Sequence, residues 1–359
     1  MLGTASRDRP PYVGDERKHR SEAKTAALSR FVRTTWLLSA AKRLDLPEHL
    51  VSLRRVSESE SREMGDQARH RNVFARHSWE NSFYVERIAK LARATVVEVF
   101  ARGPLDEVLS HMRAAAELME RVAVVSAALG VKRKALHNHL AIRGHRRFGF
   151  DLAISPGFEF LRSSSREEPK PRGIPVDDTF IRRFGRCGFP KLLTAARESH
   201  DLGKRLSAST NWLFESLQEP DPHAAVVKTA IALESLLIVN ESESLRGPLS
   251  ERTAFLLADQ AATRHRVARA IKVFYDVRSA IVHGGRRRQV SAPPDLLDGI
   301  DRFVVLLLLT LSANCSTWTS VEAAASWVDE RKWGSTAEAI VRPFPGSHLT
   351  RALRLAAPA

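Results

Sequence analysis

Along most of the chain the apolar positions recur three and four residues apart, the spacing of an amphipathic helix, and they predict a mainly α protein. The pattern is densest in the second half. Helices are predicted over 188–217, 221–240, 249–261, 264–283, 294–316 and 319–331, and the short links between them favour antiparallel neighbours in one helical bundle. Gly284 and Gly285 supply the exit of the helix that begins near Arg264. After Trp333, Pro343 and Pro345 leave an irregular strap ending in a short helix. In the first half, helical patterning starts with ALSRFVRTTWLLSAAKRL, stops at Pro47, and resumes in two amphipathic stretches, 78–101 and 104–129, separated by Gly103 and Pro104. The segment RRFGFDLAISPGFEF changes period. Phe148, Phe150, Leu152 and Ile154 alternate and residues 155–157 read as a turn, so a short β-hairpin is expected there.

These signals divide the chain into a charged segment, 1–24, expected to be disordered; a mostly helical region, 25–162, with its hairpin near 148–161; a linker, 163–175, reading SSSREEPKPRGIP; a helical bundle, 186–331; and a tail, 332–359. A second charged stretch, 54–71, reads as a solvated linker or exposed loop. No internal repeat is found.

At 359 residues, with 43% hydrophobic, the chain is long enough for two domains and for a substantial core. The formal net charge of +15 exceeds what solubility requires and favours a polyanionic partner such as nucleic acid. A membrane span is not expected: the longest apolar run, FVVLLLLTLSA at 303–313, is far short of the roughly 20 residues needed. The first residues contain no apolar run that could serve as a signal peptide, and two cysteines, Cys187 and Cys315, make no disulfide framework, so a cytoplasmic setting is expected. Neither cysteine has metal-ligand spacing, and His137, His139 and His145 do not share a helix face, so no metal and no cofactor are expected.

Three charged residues sit on apolar helix faces. Arg278 lies among Val267, Ala270, Ile271, Phe274, Val277 and Ile281; Glu234 shares a face with Val227, Ala230, Ile231, Leu237 and Ile238; Arg252 is at helical spacing from Leu249, Phe255 and Leu256. A guanidinium does not lose its proton in a protein, so an inward arginine needs a carboxylate, a phosphate or water. A Glu234–Arg252 pair fixing helix register would leave Arg278 in excess. His283, five residues after Arg278, falls about 140° away on an unbroken helix, and unwinding at the glycines could turn it toward Arg278. At that helix end a histidine also interacts favourably with the dipole. Arg286, Arg287 and Arg288 follow at once, either as a solvated run or as a holder of phosphates.

The run YDVRSAIVHGG, preceded by ALESLL and ERTAFLL, resembles the HEPN domains of the ApeA-like group, helical bundles with an Arg-x(4 to 6)-His motif. The resemblance covers about 186–330. It implies a metal-independent endoribonuclease acting at a two-fold dimer cleft, with His283 as base or acid, Arg278 as charge stabiliser, Ser279 and Tyr275 in support, and Arg286, Arg287 and Arg288 on RNA. Where many such domains carry Asn, Asp or His after the motif arginine, this chain has Ser279. It further implies kinship with toxins or phage-defence effectors, the first half binding a trigger or antitoxin. Two alternatives remain: a non-catalytic RNA- or nucleotide-binding module, and a DNA-binding regulator using AVVSAALGVKRKALHNHLA, 123–141, as a helix-turn-helix, with Lys132, Arg133, Lys134 and His137 on DNA.

Overall fold

The computed structural model describes residues 28–35, 38–70, 94–103, 105–140, 146–154, 161–169, 173–240, 244–283, 293–334 and 339–357. The expectations for residues 1–24, 78–93, 155–157 and 284–288 lie outside them. The first half runs β1 (Leu28–Thr34), β2 (Leu38–Ala40), β3 (Leu44–Leu46), β4 (Val51–Arg55), α1 (Glu58–His70), β5 (Thr95–Arg102), α2 (Leu105–Ala127), α3 (Arg133–Leu140), β6 (Arg146–Ile154), β7 (Leu161–Pro169) and β8 (Ile174–Val176). Among the described residues, six strands form an antiparallel sheet in the order β3-β4-β5-β1-β6-β7, and β2 pairs with β8 in parallel.

The sheet corrects the reading of the first half as mostly helical. Residues 28–34 and 95–102, expected in helices, are neighbouring strands with Phe31 opposite Val99. Their physical signal was the β-branched run Thr95, Val96, Val97, Val99. The alternation that normally marks a strand is missing because Val96 and Val97, on opposite faces, are both buried. Helix α2 covers the face that carries Phe31, Leu53, Val97 and Val99, and its own Met112, Ala116 and Met119 join them in one core. The hairpin is where the alternation put it, but longer, with Ile154 paired to Leu161 and Arg146 to Pro169.

The opposite face of the sheet holds charge. Glu98, buried, accepts from Arg54 Nε at 2.8 Å and from Arg30 Nε, and Ser52 donates to it at 3.2 Å. Glu60 accepts from Arg54 Nη1 at 2.6 Å and from Arg30 Nη2 at 2.7 Å. This is why the charged stretch 54–71 is not a solvated loop: it supplies the end of β4 and all of α1, whose first turn is held by Ser57 accepting from Glu60 N at 3.1 Å. Two carboxylates and two guanidiniums satisfy one another, so burial here is tolerable.

The second half follows its sequence pattern closely: α4 (Asp178–Arg186), α5 (Phe189–Ala195), α6 (Asp201–Gln218), α7 (Pro222–Leu237), α8 (Arg246–Leu257), α9 (Ala261–His283), α10 (Pro294–Ala313), α11 (Val321–Lys332) and α12 (Gly346–Ala356). The helix expected over 188–217 is two, because the chain breaks before His200, whose Nδ1 caps α6 by accepting from Gly203 N at 3.0 Å. Helix α10 is apolar on every side from Phe303 to Leu309 and packs against α5, α6, α7, α8, α9 and α12, so it is the axis of the bundle. Among the described residues, no helix is long and apolar enough to cross a membrane.

The stretch 163–175, expected as a linker, instead contributes β7 and the start of β8, with Ile174 buried. The halves share one continuous core in which α2 packs against the sheet on one side and against α4, α5 and α6 on the other. Buried charge fixes the junction. Arg133 reaches Asp301 on α10 through Nε at 3.0 Å and Nη2 at 2.7 Å, and Thr229 donates to the same carboxylate at 2.9 Å. Arg302, 1% exposed, donates to Leu129 O and, at 3.0 Å, to Val131 O. At Gly130 between them a Cβ would lie 2.0 Å from Nη1 of Arg183, so glycine is required for that arginine to approach the turn.

Two tests follow from these networks. Arg54 first, and Arg30 after it, hold the Glu60 carboxyl down from 4.5 to about 2, with burial opposing them. A depressed folded pKa contributes stability that is complete above the unfolded value and is lost as pH falls through the folded one. Urea unfolding between about pH 5 and 2 should therefore show a steeper loss in the unmodified chain than in Glu60→Gln, which cannot titrate. Asp301→Ala should cost about 3–5 kcal/mol in the same measurement at neutral pH, since it strands Arg133; a cost below about 1 kcal/mol would mean the pair carries no structural weight.

Candidate functional site

Helix α9 runs without interruption from Ala261 to His283, and its buried stripe is Val267, Ala270, Ile271, Phe274 and Tyr275. Arg278 continues that stripe by one turn and is half-buried, its side chain 21% exposed. The acidic group that comes to it is Glu234 of α7, 3.7 Å from Arg278 Nη2. That is within ion-pair range but beyond a hydrogen bond. Arg278 Nε is buried and has no hydrogen-bond partner among the described residues.

Tyr275, one turn before Arg278, donates its hydroxyl to Glu234 Oε1 at 3.0 Å. Burial first, and the charge of Glu234 second, push the phenol well above its ordinary value, so it stays a donor at any working pH. Tyr275, Glu234 and Arg278 therefore form a chain in which the carboxylate is fixed by a neutral donor and shared with a cation.

Two expectations are corrected. Arg252 does not pair with Glu234; its Nη1 donates to Leu237 O at 2.6 Å and caps the C-terminus of α7. Helix α7 is also rotated relative to the stripe drawn from its sequence. Ala225, Val226, Thr229, Leu233 and Leu236 are buried along with Ala230 and Leu237 of the expected stripe, while its other members, Val227, Ile231, Glu234 and Ile238, form a half-buried shoulder. That rotation aims Glu234 at α9 rather than at α8.

His283 is the last residue of α9 and is exposed. Because the helix stays regular to that point, Arg278 and His283 remain on faces about 140° apart. Within one chain they do not converge. Ser279 is exposed on the same outer face as His283. Residues 286–288 lie outside the described residues.

The alternative DNA reader has the expected outline, α2, a turn and α3, but its side chains are engaged elsewhere. Arg133 is committed to Asp301 and to Ser216 Oγ at 2.9 Å, and Lys132 to Asp295 at 2.8 Å. His137 is half-buried, with burial first and Arg133 second lowering its pKa. Lys134 alone of that set remains exposed without such a tie among the described residues. His139 Nδ1 lies 3.1 Å from Gly173 O, and among the described residues no group of three His, Cys, Asp or Glu could hold a metal. Both cysteines are free, and burial pushes each thiol up.

No known protein family matches the chain, and none of the curated proteins or solved structures is similar to it.

The sequence reading missed the buried Asp298, Asp301 and Arg302. Their signal was present in DLLDGIDRF, where Asp298, Asp301 and Arg302 stand at helical spacing among Leu296, Leu297, Ile300 and Phe303, after the exposed Asp295.

Glu234→Ala should cost about 1–3 kcal/mol. This is below the roughly 3–5 kcal/mol of a fully buried pair, because both side chains keep 21% of their surface. Combined with Arg278→Ala, the loss in urea unfolding should be smaller than the sum of the two single losses. Strict additivity would show that the 3.7 Å contact carries no coupling.

Proposed function

We propose that this chain is a metal-independent endoribonuclease whose helical bundle, 186–331, is HEPN-like and works as a homodimer. The observation that carries the reading is the state of Arg278: a guanidinium on an apolar face, incompletely neutralised, with a buried Nε that has no partner among the described residues. Such a group is suited to an anion that arrives only during the reaction. Around it the half-buried Val227, Ile231 and Ile281 and the exposed Val282 give an apolar margin of the kind a second copy could cover.

In the proposed reaction a ribose 2′-OH attacks the adjacent phosphorus while His283 takes its proton. The phosphorus–O5′ bond breaks, the leaving oxygen receives a proton, and a 2′,3′-cyclic phosphate and a 5′-hydroxyl remain. Arg278 stabilises the charge on the phosphorane oxygens. Since the two residues face apart on α9, Arg278 of one copy must meet His283 of the other across a two-fold axis. Under this reading the dimer is a condition of activity. Residues 286–288 would hold flanking phosphates, the setting would be cytoplasmic, and the biological role that of a toxin or phage-defence effector whose sheet-bearing half binds a trigger or antitoxin.

The Glu234–Arg278 contact favours a second reading, a non-catalytic RNA-binding module, because a partly neutralised arginine can serve register alone. Incubating the full chain with single-stranded RNA in a chelator separates the two. The nuclease reading expects cleavage with 2′,3′-cyclic phosphate ends, abolished by His283→Ala and slowed about 10²–10³-fold by Arg278→Ala. RNA binding without cleavage in the unmodified chain would support the module, and cleavage that survives both substitutions would move the active site elsewhere.

A further inference from the structure

On the solvent side of α9, towards its N-terminus from Arg278, α8 and α9 enclose a groove of about 510 Å³. Its floor includes Phe255 and Ala268, and its rim carries Arg264, His265 and Lys272. The one carboxylate on the lining, Glu251, is already neutralised by Lys332 at 2.7 Å. Arg264 and Lys272 have no ion pair among the described residues, and neither do Arg266 and Arg269 on the neighbouring turns. The groove is thus an apolar trough with uncompensated positive charge along one wall.

Arg264 adds a stacking element. Its guanidinium carbon lies 4.3 Å from the centroid of the Phe255 ring. A planar cation stacked on an aromatic ring has a second flat side, and such a side accepts an unpaired base. The helical repeat then aligns the groove with the candidate site. At 100° per residue, His265, Arg269, Lys272, Ser279 and His283 fall within about 40° of one line along the outer face of α9, and all five are exposed. Lys272 and His283 are separated on that line by about 17 Å, a few nucleotides of extended strand. Asp276, the acid between them, is tied to Arg246 at 2.8 Å.

We infer that this groove is a track for single-stranded RNA, Arg264 and Phe255 stacking a base and Lys272 holding a phosphate as the strand runs toward His283. The choice of RNA over DNA rests on the ribonuclease reading; the recognition of a single nucleic-acid strand does not. Charge alone would also suit an acidic protein, but the arginine–aromatic stack beside the unpaired cations favours a ligand with both bases and phosphates.

The test uses a fluorescein-labelled 2′-O-methyl oligouridylate, which the full chain cannot cleave because its 2′ oxygen is blocked, and follows anisotropy between about 50 and 200 mM salt. Arg264→Ala and Lys272→Ala should each weaken binding about tenfold or more. Lys272→Ala should also reduce the slope of log affinity against log salt by about 0.7, one phosphate on a single strand. Arg264→Lys should keep the salt slope and still lose affinity, because it retains the charge and loses the stack. Unchanged affinity in both alanine variants overturns the proposal, as does equal competition by an unlabelled poly-glutamate peptide, which would show an acidic-protein surface. Cleavage assays on unblocked RNA keep the two readings apart. Binding that depends on Arg264 and Lys272 in a chain that never cleaves leaves the track standing and removes the nuclease, whereas cleavage indifferent to both substitutions removes the track alone.

Discussion

Asp301 and Arg302, adjacent on α10 and 2% and 1% exposed, determine how the rest of the chain is arranged. Two opposite charges so deeply buried are tolerable only if each finds strong partners, and those partners are mostly outside the C-terminal helices. Asp301 takes Arg133; Arg302 takes the carbonyls of Leu129 and Val131. The two carbonyls belong to the turn between α2 and α3, and Arg133 opens α3 directly after it. Burial first, and Arg351 second, lower the Arg302 pKa to about 10, so it still carries its charge at neutral pH. Any arrangement that withdrew this turn from α10 would leave a carboxylate and a guanidinium unsatisfied in the apolar centre, which is why sheet and bundle close on one core.

Helix α2 extends that constraint to the sheet. It leaves the turn fixed by Arg302 and lies along Phe31, Leu53, Val97 and Val99, so the orientation of α10 also sets that of the strands. The other side of the sheet is closed by the Arg30, Arg54, Glu60 and Glu98 network, in which charge replaces an apolar layer. A sensor built on this sheet would not swing on a linker. A trigger bound there would have to act through α2 and the packed helices around α10, by shifting a core that resists small deformations.

Much of the bundle was legible because amphipathic spacing and caps act locally: Pro222 and Pro294 open α7 and α10, and Asp221 caps α7 by accepting from His223 N at 3.1 Å. The sheet was not. Strands buried on both faces lose their alternation, so the segments holding Arg30 and Glu98 read as helix, while Arg54, whose partner Glu98 is distant in sequence, looked like loop. At the candidate site the sequence identified which charges face inward, Arg278 and Glu234, but not which meet. Pairing depends on a few tens of degrees of helix rotation, enough to send Arg252 to the Leu237 carbonyl and Glu234 to Arg278. The first half of the outer face of α9, from Arg264 to Lys272, was overlooked because it contains no motif; its cations, without ion pairs among the described residues, become informative only beside a groove.

The arginines themselves suggest how structural and functional roles differ here. Arg54 is closed by hydrogen bonds of 2.6 and 2.8 Å to two carboxylates, and Arg133 by bonds to Asp301 and Ser216. Both have spent their donors on the fold. Arg278 is held differently: Glu234 stands 3.7 Å away and is itself fixed by Tyr275, so the guanidinium is oriented without being saturated. Closing that gap would add stability, since a hydrogen bond to a charged group contributes about 1.5–3 kcal/mol. It would also leave less positive field for an incoming phosphate. A buried Nε without a partner among the described residues is shared by Arg33 and Arg183; what sets Arg278 apart is a carboxylate within ion-pair range that takes no hydrogen bond from it, an arrangement that would suit a group meeting charge that arises only during a reaction.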